Sequence, residues 1–350
     1  MSVLHTKLCD LLGCEYPIIQ TAMGWVADAN LVAASCNAGA FGFLAAAVMT
    51  PAEADEAIRK IKSLTDKPFG VNFHMFQPGA LEIVDLIIKH QVRAVSYGRG
   101  PDAATIKKLK DAGVVCIPTV GALKHAQKAI QLGADAVVVQ GGEGGGHTGA
   151  VASSILLPQV LDAVQVPVVA AGGFRDGRGL AAALAYGATG IAMGTRFLLT
   201  KESPVPEATK ARYLAADTAE VIVSDKLDGL PQRMVLNETL KQLENTGPLG
   251  MAWLAIRNGL AYQKLTGASV FELMGTAWKM RKAQGLSFGQ TMMSANAPMM
   301  IQEAMVRGHP DKGILPGGQV AGAIQDLPAC ADLIAGIVSQ AQERLAALPK

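Results

Sequence analysis

Residues 166–197 read VPVVAAGGFRDGRGLAAALAYGATGIAMGTRF. The run Val166–Ala171 is apolar on successive positions rather than alternate ones, as in a parallel strand covered on both faces. Two glycines, Gly172 and Gly173, interrupt it. Gly177–Tyr186 then has helical texture, and Gly187 stands where a helix ends. A second apolar run, Gly190–Met193, follows and again meets a glycine, Gly194, with Thr195 behind it. The repeating unit is therefore strand, glycine turn, helix, strand.

The same unit recurs through the first two hundred residues. Further strands are predicted at Pro17–Gln20, Ala40–Ala45, Phe69–Phe73, Ala94–Tyr97, Val114–Pro118 and Ala136–Gln140. Helices are predicted at Pro51–Ser63, Gly79–His90, Asp102–Ala112, Ala122–Leu132 and Leu156–Val164. Eight such units point to an α/β fold, a (β/α)8 TIM barrel. A doubly wound sheet is the rival and would need fewer strands and a topological switch. Leu31–Met49 has no charge over 19 residues, but Ser35, Asn37, Gly39 and Gly42 fit a buried helix and strand better than a membrane span.

The strand rhythm stops near residue 200. Residues 205–299 read as a helical cap inserted after strand eight, with helices predicted at Ala252–Leu265 and Val270–Ala283. The barrel then comprises residues 1–204 and 300–350, with the amphipathic stretch Leu327–Leu345 packed back on its wall.

Net charge is +2 with no long basic run, which argues against nucleic acid or a bare membrane surface as partner. The five cysteines are scattered without a C-x-x-C pair, so neither a disulfide framework nor a metal site is expected. The N-terminus MSVLHTKLCD has no signal-peptide pattern, and a cytoplasmic location is expected.

Chemistry in such barrels sits at the C-terminal mouth. Gln140–Gly149, QGGEGGGHTG, follows strand six and has six glycines in ten residues around His147. Glycine lets a ligand approach the backbone, and consecutive N–H groups can cradle an anion. The bland alternative is a flexible loop with a surface histidine. Gly172, Gly173, Gly194 and Thr195 follow strands seven and eight, where barrels hold phosphate. Arg175 and Arg196 are as readily mouth ion pairs as phosphate ligands. Ala22, Met23 and Gly24 follow strand one, where a flat ring could lie. Asn72 ends strand three with an amide suited to a ring edge. His74, two residues on, faces the same ligand or is a core histidine.

Six segments together resemble the nitronate monooxygenase-like superfamily, which includes the former 2-nitropropane dioxygenases and flavin-dependent enoyl-acyl-carrier-protein reductases. They are PIIQTAMGW (17–25), GVNF (70–73), VVVQGGEGGGHTG (137–149), VVAAGGFRDGRGLAAALAYGA (168–188), MGTRFLLTKES (193–203) and KGILPGGQVAGAIQDLPAC (312–330). The resemblance implies an oxidoreductase with FMN as cofactor, held by Ala22, Met23, Gly24, Asn72, Thr119, Gln140, Gly145, Gly146, Gly172, Gly173, Gly194 and Thr195. It implies no metal. His147 would be the catalytic acid or base, taking a proton while hydride passes to flavin N5. An imidazole titrating at about 6.5 suits that task.

The tail and the cap look most like a subgroup tied to bacterial steroid-ring degradation, which implies a dehydrogenase acting on a bicyclic acyl-CoA. The alternatives are a nitronate monooxygenase using O2 and a flavin-dependent NAD(P)H-linked enoyl-thioester or quinone reductase. The partner is thus a small-molecule substrate, an acyl-CoA ester or a nitronate, and a homodimer is compatible with the resemblance. One departure is Gly144-Gly145, where many nitronate monooxygenases have Ala-Gly before Gly-His. Outside the superfamily, a colourless sugar-phosphate isomerase, a cysteine-loop nucleotide dehydrogenase and a non-catalytic flavin module compete. Within the cap, Lys279, Arg281 and Lys282 form the densest basic cluster.

Overall fold

Eight short parallel strands have nearly all their residues buried, and such strands must be covered inside and out. In the computed structural model, which describes residues 3–98, 100–266, 293 and 296–347, they close on themselves. They are β1 (Ile18–Gln20), β2 (Phe41–Ala45), β3 (Gly70–Asn72), β4 (Ala94–Tyr97), β5 (Val115–Val120), β6 (Val137–Gln140), β7 (Val168–Ala171) and β8 (Gly190–Met193). Each pairs in parallel with the next, and β1 closes the ring on β8 through Ile18↔Ile191, Ile19↔Ala192 and Gln20↔Met193. The barrel expectation holds, and the doubly wound sheet is excluded.

The interior is filled by side chains, as the buried cluster of Ile19, Phe41, Phe43, Ile117, Val138, Val169 and Ala192 requires. Phe41 and Phe43 meet edge to face with centroids 5.1 Å apart. Gly70 gives Phe43 its room: an added Cβ would come within 2.2 Å of that ring. Leu8 and Leu12, from the N-terminal helix Lys7–Leu12, join the same cluster.

The helices between strands start where the sequence provides caps. Thr50 and Glu53 form a capping box ahead of Pro51–Leu64, and Asp28, Asp102 and Asp176 cap Ala29–Asn37, Ala103–Asp111 and Gly177–Tyr186. Gly187 ends the last of these at φ 98°. The C-terminal helix Cys330–Ala346 packs on Gly177–Tyr186, and a Cβ at Gly177 would lie 2.4 Å from the Ile337 carbonyl oxygen. No helix among the described residues is long and apolar enough to cross a membrane.

The chain forms two compact units. The barrel unit comprises residues 1–144, 148–204 and 324–350; the second comprises residues 145–147 and 205–323. Read as helical from sequence, residues 205–299 contain strands as well. Antiparallel β9 (Val221–Ser224) and β10 (Gln232–Val235) pair there, and β11 (Leu315–Pro316) joins β10 from beyond. Gly146 and His147 add to this sheet opposite Arg233 and Gln232. Leu227, Met234, Leu240, Leu243, Met251 and Ile314 form the core of the second unit. The helix predicted at Ala252–Leu265 runs from Pro248 to Thr266. The helix predicted at Val270–Ala283, with the Lys279, Arg281 and Lys282 cluster, lies outside the described residues.

Candidate active site

In the barrel unit, Ala22, Met23 and Gly24 leave β1 in a tight turn. The Met23 carbonyl accepts from Val26 N (3.0 Å) and Ala27 N (2.9 Å). Inside it Trp25 is held at φ 62°, a left-handed conformation that costs an aromatic residue energy and is kept only where surrounding structure enforces it. A Cβ at Gly194, after β8, would press on Thr21 Oγ1 (3.1 Å) and Met23 Sδ (3.4 Å). The loops after the first and last strands therefore meet.

Asn72 ends β3 and spends its amide N–H groups on Ser96, at 3.0 Å to the carbonyl and 3.1 Å to Oγ. Its amide oxygen is left as the acceptor, so the amide can only accept from a ligand and not also donate. His74 beside it has a buried Nδ1 with no partner, and burial pushes its pKa down, keeping the ring neutral. Thr119 is half-buried on β5. At the end of β6 the Gln140 side chain folds over Gly144, where a Cβ would come within 2.5 Å of its Nε2.

After β7, Gly172 (φ 100°) and Gly173 (φ 80°) are consecutive left-handed residues, a conformation open to glycine alone at little cost. The helix after them is already capped by Asp176, which accepts from Arg178 N (3.1 Å) and Gly179 N (3.4 Å). Gly194 precedes Thr195–Leu198 with no side-chain cap. The N-terminus of Gly177–Tyr186 therefore has a side-chain cap, whereas the Gly172, Gly173 and Gly194 backbone has none. Both arginines have protein partners. Arg175 pairs with Asp176, and buried Arg196 donates to Asp326 Oδ1 (2.6 Å), Asp326 O (3.0 Å) and Leu199 O (2.9 Å).

Gly145, Gly146 and His147 belong to the second unit. His147 Nε2 lies 2.9 Å from Asp228 Oδ2. The same oxygen accepts from Gln232 Nε2 (2.6 Å), and Asp228 Oδ1 accepts from Leu230 N (3.1 Å). The Asp228 side chain is 8% exposed and that of His147 58%. Sequence reasoning missed Asp228 and Gln232. They stand 81 and 85 residues beyond His147, and no spacing rule links a glycine-rich loop to a turn so far along the chain. Among the described residues no group of three or more His, Cys, Asp or Glu is arranged to hold a metal ion.

The mouth of the barrel unit fits a flavin. Its glycines leave space a Cβ would fill, and the buried His74 Nδ1, which has no partner, offers a polar atom to a ring edge. The family model described as nitronate monooxygenase matches residues 5–340. A (3aS,4S,5R,7aS)-5-hydroxy-7a-methyl-1-oxo-octahydro-1H-indene-4-carboxyl-CoA dehydrogenase of Rhodococcus jostii is 51% identical over 348 residues, covering 99% of each chain. A probable nitronate monooxygenase of Staphylococcus saprophyticus is 31% identical and covers 69% of this chain and 81% of its own. Among solved structures, FabK from Thermotoga maritima superposes with a TM-score of 0.81 at 30% identity, covering 98% of each chain. With the match running through both units, the chain belongs to the nitronate monooxygenase family, a family of flavin-dependent oxidoreductases.

Proposed function

We propose that this protein is an FMN-dependent dehydrogenase acting on a bicyclic acyl-CoA, with His147 as its acid–base group. One observation carries the substrate class. Similarity to the CoA-ester dehydrogenase extends over 99% of both chains, so it takes in the second unit, whereas the probable nitronate monooxygenase covers 69% of this chain. In this reading residues 205–299 belong to the unit that selects substrate, and the barrel mouth holds the cofactor.

Bound there, FMN would supply the electron acceptor. The chain's own residues do the rest. Gly172, Gly173, Gly194 and Thr195 would hold the FMN phosphate, and Ala22, Met23, Gly24, Thr119, Gln140 and Gly146 would line the rest of the cofactor. Asn72, with its amide N–H groups on Ser96, would accept from the ring edge through its oxygen. The His147 imidazole removes a proton from carbon activated by a neighbouring thioester, the kind of transfer a single positioned base accelerates by roughly 10²–10⁴.

Anaerobic mixing tests this reading. The bicyclic acyl-CoA thioester should bleach the flavin's visible absorbance, and His147→Ala should keep its flavin while slowing that bleaching by roughly 10²–10⁴. Bleaching by alkyl nitronates or NAD(P)H with none by the CoA ester would overturn the substrate assignment. A His147→Ala protein that loses flavin with no separate kinetic defect would overturn the role of the histidine.

A further inference from the structure

We propose that Asp228 is the positioning residue for His147, fixing which ring nitrogen exchanges the proton; this rests on His147 being the acid–base group. An ionised carboxylate only accepts hydrogen bonds, so the 2.9 Å contact between His147 Nε2 and Asp228 Oδ2 places the ring proton on Nε2. The exchanging nitrogen is then Nδ1. When the ring takes up a second proton, the carboxylate already faces the new charge.

The mount is built from two sides. Gln232 pairs with His147 across the β ladder, and its side chain donates to the same Asp228 oxygen at 2.6 Å. One residue therefore sets the histidine backbone and the carboxylate that holds its ring. Leu230 N fastens the other carboxylate oxygen at 3.1 Å. Both Asp228 (7% exposed) and Gln232 (3%) are buried, while the histidine side chain is 58% exposed. An exposed imidazole left to itself samples several rotamers, and a base must be held within reach of its proton to act. If Asp228 served only its own turn, it would need Leu230 N and Gln232 but not His147.

The test uses full-length, flavin-loaded protein. Histidine ¹⁵N NMR, with the His147 signal identified by its loss in His147→Ala, should show a neutral ring protonated on Nε2. Asp228→Asn should mix or reverse the tautomers, because an amide can present either its oxygen or its N–H groups to the ring. An unchanged tautomer overturns the proposal. In anaerobic reduction by the bicyclic acyl-CoA thioester, Asp228→Asn should slow the wild-type protein by about 10- to 100-fold, the scale known for partners that orient metal-bound histidines. In a His147→Ala background it should slow nothing further. Additive losses in the double variant would mark Asp228 as merely structural. If Asp228→Asn fails to fold, Gln232→Met loosens the same mount from its other side and should give the same non-additivity. If His147→Ala leaves the rate intact, the acid–base role falls; the tautomer measurement needs no substrate and separates that failure from a failure of Asp228 to orient the ring.

Discussion

Gly145 lies against Gly318: a Cβ added to Gly145 would sit 2.5 Å from the Gly318 amide nitrogen and 2.6 Å from the Gly317 carbonyl carbon. Gly317 in turn faces the Tyr213 ring, 2.8 Å from where its own Cβ would be, and the Tyr213 hydroxyl donates to the Pro316 carbonyl at 2.7 Å. Gly145 is thus small because it is laid on the backbone of LPGGQ (315–319), and Gly317 because the Tyr213 ring stands against it. Backbone cannot swing aside as a flexible side chain can. Gly145→Ala should displace the His147 strand and slow flavin reduction by about tenfold or more, since small misplacements of a catalytic group are costly. Flavin content should stay at the wild-type level. A flavin-free Gly145→Ala protein would instead make this glycine a cofactor contact.

The cradle proposed after β7 and β8 makes a different demand. Gly173 has space for a side chain, with Glu143 Cβ 3.5 Å from an added Cβ, but its φ of 80° is closed to a β-branched residue. Gly194 is limited by contact, with Thr21 Oγ1 at 3.1 Å. Gly173→Val and Gly194→Val should each purify folded and colourless, by circular dichroism and visible absorbance. Full flavin occupancy in either variant would place the phosphate elsewhere.

Burial makes the ring of His74 harder to protonate in the folded chain than in the unfolded one. The unfolded ring takes its proton at about 6.5 and the folded ring only at lower pH. Between those two values the unfolded state binds more protons. The contribution of His74 to stability is therefore present above pH ~6.5 and lost as pH falls through the folded value. Melting temperature should drop less between neutral and mildly acidic buffer for His74→Gln than for the wild-type protein. Parallel curves for the two would show that the ring is not desolvated.

The barrel was legible because its signals are local. Apolar runs such as Phe41–Ala45, caps such as Thr50 with Glu53, and Gly187 each depend on a few neighbouring residues. Where the deciding contact is distant, the reading slips. The helix predicted at Leu156–Val164 runs over Ser153–Leu161, because the Glu143 carboxylate accepts from Ser153 N at 3.0 Å and starts the helix early. Strands β9 and β10 went unseen, since four residues each show too little alternation and their partner is one another. His147 stood out by its glycines, whereas Asp228 and Gln232 carry no mark of their own beside it.

The substrate reading has a test that needs only the sequence of the second unit. Lys279, Arg281 and Lys282 are the densest basic cluster between residues 205 and 300, and on a helix Lys279 and Lys282 would share a face. An acyl-CoA carries several phosphate charges at its nucleotide end, and cations at a pocket rim would attract them with a strength that falls as salt screens it. A small nitronate has no such end. Charge reversal by Lys279→Glu with Lys282→Glu should raise KM for the CoA ester by about tenfold, with kcat little changed, because the lost contacts are made equally in ground and transition states. The difference should narrow as ionic strength rises. Activity toward a small nitronate, where present, should be unaffected. Equal effects on both substrates, or none on either, would remove the cluster from CoA recognition and leave that assignment resting on family similarity alone.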